Sequence, residues 1–367
     1  MLVLDMESEN NNNNPAEAEY WFSRFLENFS KIPRQHINTL VVLKLGCYEI
    51  LPLPLKRCFL YYCRLFPKGF EIERETLINL WVAQGFIYSY SSPSKSVENV
   101  GYEYFEYLEY RSFFKATGRN YIVPSLMHEL GILVSGAARS IQYVSFELES
   151  SKIPTSVAFQ AKRLRALTVF PNNQLRREIE GGLSQPIYHK TTSNCKLLRA
   201  LYLHNSVMEI VPDSIGKLKH LRYLDIFGNP DIKALPNSIT TLHGLITLKL
   251  SSCYGLKELP RDIKKLINLK HLEIDWCYNL THMPSGLGQL TQLEKLSEFV
   301  LLNNKEGNIW NSCSLKELAK LNNLRGELKI KNLGNSEDDY SCKILKEKRE
   351  LRSLTLSWDF IANVGGG

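Results

Sequence analysis

The sequence predicts an α+β protein: a helical domain carrying one β-hairpin, followed by an α/β solenoid of short parallel strands. Three observations predict it. Four copies of one leucine pattern recur as Leu198-x-x-Leu201-x-Leu203, Leu221-x-x-Leu224-x-Ile226, Leu245-x-x-Leu248-x-Leu250 and Leu269-x-x-Leu272-x-Ile274, with first leucines 23, 24 and 24 residues apart. Ahead of them, apolar residues run at helical spacing around a single hairpin signal. The chain has 367 residues, 44% apolar and 23% charged, an ordinary soluble composition in a length beyond one compact domain.

Taken in order, residues 8 to 15 (Ser-Glu-Asn-Asn-Asn-Asn-Asn-Pro) are low-complexity, and Tyr20 to Phe29 carry the spacing of a short amphipathic helix that Pro33 ends. Residues 1–36 are therefore expected to be a disordered tail with one orphan helix. Residues 37–138 form the helical domain. One helix begins at Leu40, and another runs from Leu55 to Leu65 with Pro54 at its start and Phe66-Pro67 at its end. A third covers Glu73 to Gln84 and is capped by Gly85. After a loop at 88 to 96, a fourth runs from Val97 to Tyr110. Phe113–Ala116 and Asn120–Val123 flank Thr117-Gly118-Arg119 as a hairpin, and Ser125 to Ala138 is a fifth helix. Helices plus a hairpin in this order outline a winged helix.

Residues 139–367 form the solenoid. Weak copies appear at Ile141–Phe146 and Leu164–Val169, an insertion runs from Gly181 to Asn194, and the regular copies follow from 198 to about 296. The pattern resumes at Leu324–Ile330 and Leu351–Leu356. Gly365-Gly-Gly367 follows with no polar capping repeat, so the solenoid is expected to be incomplete at the C-terminus.

A period of roughly 20–29 residues with this leucine spacing is the leucine-rich-repeat signature. The leucines point inward, and the residues between them face the concave side because strand side chains alternate. Three residues past each third apolar position stand Asn229, Cys253 and Cys277, where a small polar side chain can turn inward and bond the backbone. Metal ligation or a disulfide is the rival reading of the two cysteines, but the repeat phase accounts for both. Leu235-Pro236, Leu259-Pro260 and Met283-Pro284 begin the convex return, where no ladder donor is needed. The concave candidates for contact with a partner protein are Arg222, Tyr223, Asp225, Phe227, Lys249, Lys270, His271, Glu273, Asp275 and Trp276. Of these, Tyr223, Phe227 and Trp276 are expected to be exposed aromatic anchors. Packing against a neighbouring domain of the same polypeptide is the equal alternative.

Several classes are excluded. No G-x-S-x-G, H-E-x-x-H or dinucleotide fingerprint occurs, so the chain is not read as an enzyme, and no metal site is expected. The eight cysteines contain no CxxC pair, no stretch is long and apolar enough for a membrane span, and the first residues do not form a signal peptide. A reducing setting, cytoplasmic or nuclear, follows. The excess of 45 basic over 38 acidic residues is spread along the chain. The helix at 71 to 84, the candidate DNA-reading helix of a winged fold, sets Glu71, Glu73 and Glu75 against Arg74 alone, the wrong sign for phosphate. No nucleic-acid partner is expected.

The run from Leu55 to Ile72 (Leu-Lys-Arg-Cys-Phe-Leu-Tyr-Tyr-Cys-Arg-Leu-Phe-Pro-Lys-Gly-Phe-Glu-Ile), with Leu77 to Phe86 after it, resembles the winged-helix region of plant nucleotide-binding leucine-rich-repeat (NB-ARC) immune receptors, the coiled-coil subclass most closely. Gly101 to Leu108 with Arg111-Ser-Phe-Phe114 resembles it too, and Met127-His128-Glu129 resembles the family's Met-His-Asp motif. The resemblance extends from about residue 40 to 360. It implies plant defence, with repeats that sense a pathogen effector or a guarded host protein and restrain an ADP/ATP switch. It also implies that His128, with Met127 and Glu129 beside it, contacts the nucleotide. The sequence departs from the family at Glu129, where the motif has aspartate, and G-x-x-x-x-G-K-[ST] occurs nowhere in it. No cofactor is therefore expected for this chain, which reads as a shortened receptor able to pair with a full-length one. A non-immune repeat scaffold and a non-functional gene fragment are the alternatives.

Overall fold

The structure, a computed structural model, describes residues 46–87, 95–135, 142–148, 163–171, 194–206, 208–302, 312–333 and 347–358. The low-complexity stretch, the orphan helix at 20 to 29, the start of the helix at Leu40 and most of the 181–194 insertion lie outside these residues.

The helical domain contains α1 (Leu53–Leu65), α2 (Arg74–Gln84), α3 (Val97–Tyr110), a hairpin of β1 (Lys115–Thr117) and β2 (Asn120–Ile122), and α4 (Ser125–Ser135). Pro54 sits in the first turn of α1, where its missing N–H costs nothing. Ser96 caps α3 by accepting from Asn99 N. Gly85 ends α2 at φ 73°, a left-handed turn that an L-residue adopts only under strain. Thr117, expected in the turn, is the last residue of β1 and pairs with Asn120. Trp81 is the centre of this core: it is fully buried, packs near Phe105 and Phe114, and donates Nε1–H to Cys58 O at 3.1 Å.

The solenoid is a seven-stranded parallel sheet in sequence order: β3 (Tyr143–Leu148), β4 (Ala166–Pro171), β5 (Ala200–Tyr202), β6 (Tyr223–Asp225), β7 (Thr247–Lys249), β8 (His271–Glu273) and β9 (Lys295–Leu296). A second parallel sheet follows, from β10 (Glu298–Val300), β11 (Arg325–Lys331) and β12 (Glu350–Leu356). The convex return is made of 3-10 turns at Asp213–Lys217, Asn237–Thr241, Ile263–Lys265 and Leu287–Gln289. The repeat leucines fill one continuous core, with Leu221, Leu224, Leu245, Leu248, Leu269 and Leu272 fully buried.

The Asn/Cys positions act as a ladder between repeats. Asn229 Nδ2 donates to Leu203 O (3.0 Å) and Ile226 O (2.7 Å), while its Oδ1 accepts from Met208 N (2.9 Å). Cys253 Sγ donates to Ile226 O and Cys277 Sγ to Leu250 O, each at 3.3 Å. Burial pushes both thiols up to about 12, so they stay protonated donors at neutral pH. Asn229→Ala should leave the Met208 N–H buried without a partner and take one donor each from Leu203 O and Ile226 O, which keep Ser206 Oγ and Cys253 Sγ. A loss of about 2 kcal/mol is expected in denaturant unfolding, against less than about 0.5 kcal/mol for the exposed Asn279→Ala.

Candidate functional site

Register along the sheet builds two rows of concave side chains. Ala166, Ala200, Tyr223, Thr247, His271 and Lys295 align in one, and Thr168, Tyr202, Asp225, Lys249 and Glu273 in the other. Alternation predicts these rows correctly, but the expectation that they face solvent fails. The winged helix lies on them. Tyr223, expected as an exposed anchor, is fully buried, and Asp225, Lys249, His271 and Glu273 are buried as well. The physical reason is complementarity, which differs at the two ends of the covered face.

At the N-terminal end the contact is aromatic. Phe66 and Phe70, from the turn after α1, pack on Phe170 (6.1 and 5.0 Å between ring centroids) and Tyr202 (5.8 and 6.5 Å). Tyr61 meets Tyr143 edge-on at 5.0 Å. These rings form one core with the helical domain, so the two domains are fused here by apolar burial.

Further along the contact is ionic. Helix α2 presents its acidic residues to the repeat lysines. Lys249 Nζ donates to Thr76 Oγ1 (2.9 Å) and lies 3.5 Å from Glu73 and 3.3 Å from Glu273. Lys295 reaches Glu75 at 2.6 Å, and Lys270 bridges Glu98 of α3 (2.7 Å) and Glu294 (2.9 Å). The helix's C-terminal end meets cations as well: Arg199 Nη1 donates to Gln84 O at 2.6 Å and Arg222 lies beside Gly85. A helix C-terminus carries partial negative charge, so two guanidiniums suit it. Two of the three glutamates that are wrong for DNA, Glu73 and Glu75, are thus engaged by lysines of the same chain.

Burial lowers Lys249's affinity for its proton, but Glu273, Asp225 and Glu73 more than reverse it, so the ammonium stays charged. For Glu75, burial raises the carboxyl, yet Lys295 outweighs it and the net direction is down. A depressed carboxyl contributes stability that is present above the ordinary carboxylate range and is lost as pH falls through its own lower value. The melting temperature of the chain should therefore fall between pH 5 and pH 3 with a slope that Glu75→Gln reduces; an identical slope in the variant would contradict this role.

The remaining predicted residues are dispersed. Trp276 is 52% exposed on the rim, near the stacked, exposed pair Tyr254 and Tyr278 (5.5 Å). Phe227 is half-buried against His204 (4.2 Å), and Asp275 accepts from Ser251 Oγ at 3.2 Å. His128 is buried in α4, its Nε2 lying 2.9 Å from Phe66 O. Met127 is buried beside it, and Glu129 points outward to Lys68 at 2.6 Å. Lys295, Glu75 and Glu98 were not among the predicted residues. Lys295 was findable, because Leu293-x-x-Leu296 is a fifth copy in phase; the two glutamates belong to another domain and carry no such signal.

Comparison with known proteins matches this arrangement part by part. The disease resistance protein winged helix domain covers residues 65–131, and a leucine-rich repeat region covers residues 183–363. The chain belongs to the plant disease resistance proteins. It is 33% identical over 211 residues to disease resistance RPP13-like protein 1 of Arabidopsis thaliana, covering 53% of this chain and 20% of that one. It is 38% identical over 347 residues to disease resistance protein At3g14460 of the same plant, covering 88% of this chain and 23% of that one. The chain thus spans about a fifth of the length of these family members. A leucine-rich-repeat protein of Leptospira interrogans has a TM-score of 0.42 at 22% identity, over 59% of this chain and 49% of that one. Among the described residues, no helix is long and apolar enough to cross a membrane.

Proposed function

We propose that this chain works in plant defence as the sensor and regulatory part of an intracellular immune receptor, acting in the cytoplasm or nucleus by recognition rather than catalysis. The observation that carries the reading is the covered concave face. A winged helix held on its own repeats by Lys249, Lys270 and Lys295 is a restraint that a partner protein can release. The partner class is a pathogen effector or a host protein that an effector alters. It first meets the open rim at Trp276, then competes for the concave residues Arg222, Tyr223, Asp225, Phe227, Lys249, Lys270, His271, Glu273 and Asp275. Nucleotide is not part of this chain's own action, because no phosphate-cradling loop occurs in its sequence and His128 is bonded to Phe66 O.

Disruption of the gene in its plant tests the reading. Altered pathogen growth or altered cell death with at least one pathogen strain is expected. Unchanged growth and unchanged cell death across a broad strain panel would contradict it and favour a scaffold without an immune role.

A further inference from the structure

Among the described residues, one group of metal-capable side chains spans both domains: Glu98 in the first turn of α3, His271 in β8 and Glu294 just before β9. One donor atom from each lies within 4.8 Å of the others. Two features separate this group from an ordinary acidic cluster. His271 is 7% exposed, and neither of its ring nitrogens has a hydrogen-bond partner. Glu98 is 2% exposed, and its Oε2 has none either. Buried polar atoms without partners carry an uncompensated desolvation cost, so a ligand that satisfies them is favoured at that place. Burial also pushes His271 down to about 3 against the pull of Glu98, so at neutral pH the imidazole has a lone pair to offer.

We propose that Glu98, His271 and Glu294 form a binding site for one divalent transition-metal ion of the Zn2+ class, which clasps the winged helix to the repeats. One imidazole nitrogen and two carboxylate oxygens are ordinary Zn2+ ligands and leave one coordination position for water. The imidazole selects against Mg2+, which demands an octahedron of oxygens. Lys270 is the competitor. Its Nζ lies 2.7 Å from Glu98 Oε1 and 2.9 Å from Glu294 Oε1, so ammonium and metal share the same two carboxylates. Arg325 holds Glu294 from the other side. The Lys270 side chain is 26% exposed, which lets it swing into solvent as the ion enters. The ligands stand 173 and 23 residues apart along the chain, which is why no sequence motif announces them.

The test uses the full chain, stripped with EDTA and titrated with Zn2+, Mg2+ and Co2+. Cysteines also bind Zn2+, so Co2+ serves as the spectroscopic probe: nitrogen and oxygen ligation gives weak visible bands without the intense thiolate charge-transfer band. One Co2+ per chain without that band is expected, with Zn2+ binding far more tightly than Mg2+. His271→Ala should weaken Zn2+ binding by roughly 100-fold or more. Glu98→Gln should do the same while keeping the side chain's shape and its bond to Lys270, which guards against a folding defect. Lys270→Met should tighten binding. Unchanged Zn2+ affinity in the Glu98→Gln variant, cobalt spectra dominated by thiolate, or weakening in Lys270→Met would each overturn the site.

Discussion

Replacing Lys249 with alanine should cost about 3–5 kcal/mol, read from denaturant unfolding of the full chain. Lys249 is buried between both domains, and its ammonium is shared by Thr76, Glu73 and Glu273. Removing it leaves Glu273 and Asp225 buried with less positive charge beside them, and an uncompensated buried carboxylate is the expensive outcome. The loss should exceed that from an exposed lysine of the same repeat: Lys257→Ala should stay within about 0.5 kcal/mol. It should also exceed the loss at Lys295, whose partner Glu75 is half in solvent and whose ion pair is worth at most about 1 kcal/mol. Equal effects at Lys249 and Lys257 would mean that the concave face is open to water.

Trp81→Ala should be as damaging, at about 3–5 kcal/mol. The indole is fully enclosed, lies about 6.2 Å from both Phe105 and Phe114, and holds the carbonyl of Cys58. Its removal opens a cavity between α1, α2 and α3 and takes away that carbonyl's second donor, the first being the helix's own Tyr62 N–H. Trp81→Phe separates the two contributions. It keeps most of the packing and loses the hydrogen bond, so about 1–3 kcal/mol is expected. Because α2 carries Glu73, Glu75 and Thr76 to the repeats, Trp81→Ala should also loosen the domain contact, although Trp81 itself is not one of the residues paired with the repeat lysines.

Most local structure was legible because its causes are local. The period of 24 placed β6, β7 and β8. Asn229, Cys253 and Cys277 were readable as ladder positions because a donor is needed at the same place in every turn. Helices α1, α2 and α3 were readable from apolar spacing, and α1 and α2 also from Pro54 and Gly85 at their ends. Alternation also identified Tyr223, Lys249, His271 and Glu273 as concave. It could not say what covers them. The pairs that do so, Glu75 with Lys295 and Glu98 with Lys270, join residues 220 and 172 positions apart. Periodicity within one element carries no information about such pairs. The acidic character of α2 was visible, but it was read only as unfit for DNA, when the complementary lysines stood in the same sequence.

The most direct test of the covered face is chemical footprinting of the intact chain, with amines acetylated and imidazoles carbethoxylated under native conditions and read by mass spectrometry. Lys249 and His271 should react far more slowly than exposed Lys257 and His243, and both should become reactive in a Glu73→Lys/Glu75→Lys double variant whose far-UV spectrum is unchanged. Labelling of Lys249 and His271 in the native protein at the rate of Lys257 and His243 would contradict the account.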